Sequence, residues 1–249
     1  MKPFQFYVVK EFQKPAVGKS LKNQVQMTFS GEAEDIETVI TLETENYEAG
    51  LDLLRIKSEI RYETLGFIKT LIGSERKRIQ FNEYLQPVDF FAYFHKDRNL
   101  MIFQARKKVC SDVLNHLRAK FCGIELAEVE LDFGKVLKLN SEYQGAWFRG
   151  ASSRVQAVGL SGNQIQEDNL FKDLQQVADL SSVTIPWLHN EVRHSVMLTS
   201  RGGVVLQQNY QDIGLELELV MDVQDKLLKQ VWHERTPRCK TDQDMPNEA

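Results

Sequence analysis

Long apolar runs are missing from this 249-residue sequence: none approaches the roughly 18 residues a membrane-spanning helix needs, so no membrane partner is expected. The N-terminus, Met1-Lys-Pro-Phe-Gln-Phe-Tyr7, has no uninterrupted apolar stretch and no small-residue cleavage site, and no secretory signal is read there. Cysteine is scarce. Cys110, Cys122 and Cys239 are odd in number and far apart, which argues against a disulfide framework and for a reducing, cytoplasmic setting.

Recognisable catalytic motifs are missing too. Gly18-Lys19-Ser20 ends like a phosphate-binding loop, but the glycine required five residues earlier is Gln13, and the segment that follows looks like a strand. His189 and His194 are five apart, which on a helix turns them about 140° away from each other; zincins need a spacing of four. Cys110, His116 and Cys122 lack the paired spacing of zinc sites. Ser161, in Gly159-Leu-Ser-Gly162, has no Gly-x-Ser-x-Gly frame and reads as a turn. No cofactor and no resident metal is expected from these residues.

What is present is ordinary globular material, 42% hydrophobic and 27% charged, enough to bury a core. Phe4–Phe12, Val25–Phe29 and Glu37–Glu43 read as strands, with a turn at Ser30-Gly31. Leu54–Thr64 alternates apolar and charged residues at period two and is read as a strand, although a helical spacing also fits. Leu65–Ile72 is read as a short helix ended by Gly73. Ile124–Phe133 alternates with a phase slip at Ala127-Glu128, as a β-bulge would produce.

An arrangement of two short strands, a polar turn and an amphipathic helix then recurs: Val88–Phe121, Gly145–Leu180 and, loosely, His194–Trp232. The third copy departs by adding a strand over Ile213–Leu219 before its helix. The expected fold class is therefore α+β, with largely antiparallel sheets built from ββα hairpin-helix units and helices packed on one face. Two subdomains, 1–138 and 139–234, and a disordered tail, 235–249, are expected.

Charge is distributed unevenly behind a net value of −4. Residues 23–54 hold eight Asp/Glu and no Lys or Arg, residues 55–121 hold fourteen Lys/Arg against seven Asp/Glu, and residues 122–249 hold twelve against nineteen. The plain reading is mutual neutralisation across the folded surface; the functional one is a charged partner. Arg76, Lys77 and Arg78, then Lys96 and Arg98, then Arg106, Lys107 and Lys108 flank the aromatic strand Val88–Phe94. Cations beside aromatics suit a phosphate backbone and unstacked bases. The expectation is a non-catalytic, cytoplasmic binding protein that engages nucleic acid or an acidic protein surface through 76–108, within a larger assembly.

Two alternatives stand beside it. A restriction-type, Mg²⁺-dependent nuclease would use Asp89 as carboxylate and Lys107 as the basic group. Its second carboxylate position, however, holds Gln104, a weaker ligand for a hard cation. A protein–protein adaptor without nucleic-acid affinity is the other.

Overall fold

The aromatic and β-branched opening segment forms β1 (Lys2–Phe12) at the centre of the sheet. The structure, a computed structural model, describes residues 1–29, 32–72, 75–119, 123–151 and 154–234, with backbone alone at 27–29, 32, 33, 70–72, 75–77, 79 and 119. The expected turn at Ser30-Gly31, Gly73, the helix end at Phe121, two residues of the second copy (152 and 153) and the expected disordered tail 235–249 lie outside the described residues.

The remaining strands are β2 (Ser20–Phe29), β3 (Glu32–Glu48), β4 (Leu51–Ile72), β5 (Glu75–His95), β6 (Leu100–Phe103), β7 (Ile124–Leu131), β8 (Gly145–Arg149), β9 (Ala157–Ser161), β10 (Asp179–His189), β11 (Val192–Thr199), β12 (Gly203–Leu206) and β13 (Trp232–Glu234). They join in one antiparallel sheet in the order β2-β3-β4-β5-β6-β1-β12-β11-β10-β8-β9, with β7 beside the second half of β1 and β13 beyond β7. The principal helices are α1 (Lys107–Ala119), α2 (Phe133–Leu139), α3 (Asn169–Val177) and α4 (Ile213–Val223). Among the described residues, no helix is long and apolar enough to cross a membrane.

This corrects the expected fold class. The chain is not an assembly of ββα units with helices on one face; thirteen strands share a single sheet, and helices cover opposite faces of its two halves. Strand alternation shows it. Tyr7, Ala92, Phe94, Met101 and Phe103 pack with Cys110, Val113, Leu114 and Leu117 of α1. Their immediate neighbours Phe6, Tyr93, Leu100 and Ile102 pack with Leu217, Leu219, Val220 and Val223 of α4 on the other side. The central strands are apolar on both faces because both faces are covered there. β1 lies between β6 and β12, so the sheet and the α4-side core run across residue 139 without a break.

The phase slip in β7 has the same origin. Ile124 and Leu126 face the α1 core, whereas Val129 and Leu131 face the α4 core. β7 itself is regular there, and the register shift falls in its partner β1, between Val9 and Glu11.

Three local readings change. Leu65–Ile72 is strand, the continuation of β4, paired with β5 from Gly66 opposite Phe81 to Ile72 opposite Glu75. Ile213–Leu219 is helix: Asp212 caps α4 by accepting from the Gly214 N–H at 2.8 Å. The alternation there was accidental, since Glu216 is fully buried while Leu215 is exposed. β10 was not foreseen, because Pro186 interrupts it. Pro186 lies past the last rung with β8, Thr184 opposite Gly145, where one side of β10 has no neighbour.

Candidate nucleic-acid interface

β4 and β5 are the longest paired strands, and only the first half of β4 and the second half of β5 belong to the body of the sheet. β3 leaves β4 after Val39 opposite Lys57, and β6 covers β5 only from Ala92 to His95. Thr38 Oγ1 and Ser58 Oγ, 2.7 Å apart and buried, mark the point of departure. Beyond it β4 and β5 continue as a two-stranded arm, from Ser58 to Ile72 a run of about 45 Å at 3.3 Å per residue.

A lone two-stranded ribbon is marginally stable in water, and this one is held by cross-strand pairs. Tyr62 stacks on Tyr84 with centroids 5.3 Å apart. Phe81 meets Tyr84 edge-on at 5.9 Å and lies over Gly66, where a Cβ would come within 2.3 Å of the Phe81 ring. The register shift between Glu63 and Gly66 seats that contact.

Charge is handled differently at the two ends of the arm. Near its base, Glu63 stands directly opposite Glu83, and Arg61 bridges both. Near its tip, Lys69 stands directly opposite Arg78, and neither has a carboxylate partner among the described residues. Like charges facing each other across a ladder are destabilising unless something neutralises them. The Arg78 guanidinium instead lies 3.6 Å above the Phe67 ring centroid. Leu65, Phe67 and Ile68 are 64, 47 and 56% exposed, an unusual apolar surface for a charged ribbon.

The N-terminus of α1 meets the base of this arm. Lys108 Nζ lies 5.0 Å from the Tyr62 ring centroid and pairs with Asp112 at 2.9 Å. Arg106 is exposed. The first turn of α1 carries no acidic residue. Tyr62 belongs to the α1-side core.

The eight residues expected to bind therefore fall into three groups. Arg76, Lys77 and Arg78 occupy the tip half of β5, opposite Leu71, Thr70 and Lys69, with the side chains of Arg76 and Lys77 outside the described residues. Arg106, Lys107 and Lys108 open α1 at the arm's base. Lys96 and Arg98 sit at the far end of β5, beyond His95. Arg98 bonds Asp225 at 2.8 Å and Gln224 at 3.1 Å, and Lys96 lines a shallow cleft with Lys10 and Lys14. Sequence reasoning missed Lys69 and the arm's aromatics, because a helix was expected over 65–72.

Asp89 faces away from α1. Val88 and Phe90 pack into the α1-side core, so Asp89 between them points to the opposite face of a regular strand. Arg55 holds it in a two-pronged pair at 2.8 and 2.7 Å, which keeps the carboxyl below the ordinary Asp range. Gln104 accepts from the Tyr93 hydroxyl at 2.9 Å. No group of three His, Cys, Asp or Glu side chains among the described residues is spaced to hold a metal ion.

The other motif residues have structural partners. Gly18 and Ser20 lead into β2 rather than a helix. His189 and His194 lie on the β10–β11 hairpin with ring centroids 6.2 Å apart. His189 Nδ1 is 3.3 Å from Asp222, and His194 Nδ1 is 2.5 Å from the Tyr210 hydroxyl. Cys110 is buried against Tyr7, its thiol pushed up to about 12 by desolvation; Cys122 and Cys239 lie outside the described residues. Comparison with protein-family models and with curated proteins finds no match to this chain.

Proposed function

We propose that this chain is a non-catalytic nucleic-acid-binding protein that works through the β4–β5 arm and the start of α1, as one part of a larger assembly. One observation carries the reading: the arm holds Lys69 opposite Arg78, and neither has a carboxylate partner among the described residues. Two cations kept face to face gain most from a polyanion laid across them. A two-stranded ribbon also fits the major groove of B-form DNA, about 12 Å wide. Phe67 and Ile68 supply apolar contact beside the cations. The scattered cysteines and the buried free Cys110 thiol support a reducing compartment, the cytoplasm.

The test is fluorescence anisotropy with a labelled 20-base-pair duplex, read between 50 and 200 mM salt. Binding should weaken steeply with salt, and Lys69→Gln with Arg78→Gln should lower the slope of log K against log salt by about two. Arg98→Gln, which breaks a pair at the opposite end of β5, should leave affinity unchanged. Duplex incubated with Mg²⁺ should stay uncut. No binding at 50 mM salt, or binding indifferent to the paired substitution, would overturn the proposal.

A further inference from the structure

Beside the basic arm stands an acidic one. β2 and β3 are paired from Ser20 opposite Thr41 to Phe29 opposite Glu32, and past Thr38 β3 no longer pairs with β4. This hairpin carries Glu32, Glu34, Asp35 and Glu37, with Lys22 as its nearest cation. Lys22 takes Glu37 at 2.9 Å, while Glu34 and Asp35 are exposed and have no cation among the described residues.

The two hairpins of one chain cannot neutralise each other. Glu34 and Asp35 are four and three residues past Thr38, and Lys69 is eleven past Ser58, where the hairpins part. At 3.3 Å per residue the acids stand about 13 Å out and the cation about 36 Å out. Even side by side they would be separated by more than ~20 Å, over twice the Debye length of about 8 Å at physiological salt. Only a second molecule can bring an acidic hairpin to the basic tip.

We infer that two copies of this chain associate by reciprocal exchange, the β2–β3 hairpin of each seated against the β4–β5 arm of the other. Both contacts form under one two-fold axis, so the assembly closes as a dimer. The exposed Phe67, on the same face of the ribbon as Lys69, is covered by the same contact. Nucleic acid and the partner's hairpin compete for the same cations. The inference does not depend on nucleic-acid binding, because any acidic surface of matching reach satisfies the arm.

Charge reversal tests it by analytical ultracentrifugation. The unaltered chain should dimerise at 50 mM salt and dissociate at 500 mM. Lys69→Glu with Arg78→Glu gives two acidic hairpins and should be monomeric; Glu34→Lys with Asp35→Lys gives two basic ones and should also be monomeric. Mixed in equal amounts, the two variants should form a heterodimer, both of whose contacts are complementary. Each double reversal moves the net charge of −4 by four, to −8 and to 0, so bulk attraction does not explain a heterodimer. The salt series on the unaltered chain stands even if a variant misfolds. A monomer at 50 mM salt and 100 µM chain, or a dimer that survives both reversals, overturns the inference. Weaker duplex binding in the arm variant, beside tighter binding in the hairpin variant, whose competing acidic hairpin is gone, separates this result from the nucleic-acid reading.

Discussion

His116 sits on α1 beneath the point where the two hairpins part, and its surroundings give the protein a pH dependence. Its Nδ1 lies 3.4 Å from Ser58 Oγ, its carbonyl accepts from the Asn23 amide at 2.6 Å, and burial holds its pKa below the ordinary histidine value. His95 is lowered as well, by burial and then by Arg98. A base harder to protonate when folded leaves stability complete above the unfolded value of about 6.5. As pH falls below it, the unfolded chain takes up protons that the folded one refuses. The urea midpoint should therefore drop between pH 7.5 and 5, and His116→Gln should make that drop shallower without abolishing it, because His95 still contributes. A midpoint flat across this range would contradict the burial of both rings. Carboxylates follow the opposite direction: Asp89, Asp222 and Asp225, all lowered, are lost as stabilising partners only at more acid pH.

At the level of elements, the arm depends on a few side chains rather than on a core. Gly66 is required by the Phe81 ring lying over it, a contact that also fixes Phe81 against Tyr84. Gly66→Ala should displace that ring and speed amide hydrogen exchange along residues 60–84, while the global unfolding midpoint stays within measurement error. Phe81→Leu in the same chain should restore part of the protection. Uniform loss of protection across the sheet would mean that the arm and body fold as one unit. α4 teaches a complementary lesson. Its glutamates and leucines alternated like strand residues, yet the helix is enclosed nearly all round, and Glu216 goes inside with Lys2 at 2.7 Å. Periodicity distinguishes helix from strand only when one face is wet.

Across the whole molecule, two cores lie on opposite faces of one sheet and share β1, β5, β6 and β7. Ile102 and Phe103, adjacent on β6, belong to different cores. Ile102→Ala should cost about 2–5 kcal/mol and Phe103→Ala about 3–5 kcal/mol. Because the strand is common, each should move a single unfolding transition, seen together by far-ultraviolet circular dichroism and by the fluorescence of Trp147, Trp187 and Trp232. A separate early phase in either variant would show that the halves unfold independently.

The sequence by itself determined the local conformations with strong one-sided patterns: β1, the Val88–Phe103 hairpin, α1 with its Val109–Leu117 stripe, and the β11–β12 turn. It also carried the charge asymmetry, since counting needs no structure. Tertiary structure alone decided how far each strand runs and what lies across from it. Leu65–Ile72 has helix-compatible spacing and becomes strand because β5 supplies nineteen rungs to β4. Two basic clusters some thirty residues apart come to share one arm, one at its base and one towards its tip, because α1 packs back over β4, while Lys96 and Arg98, nearer in sequence to both, are carried to the other end of β5. Whether a residue stands free or paired follows from cross-strand register, a long-range relation that no window of neighbouring residues contains.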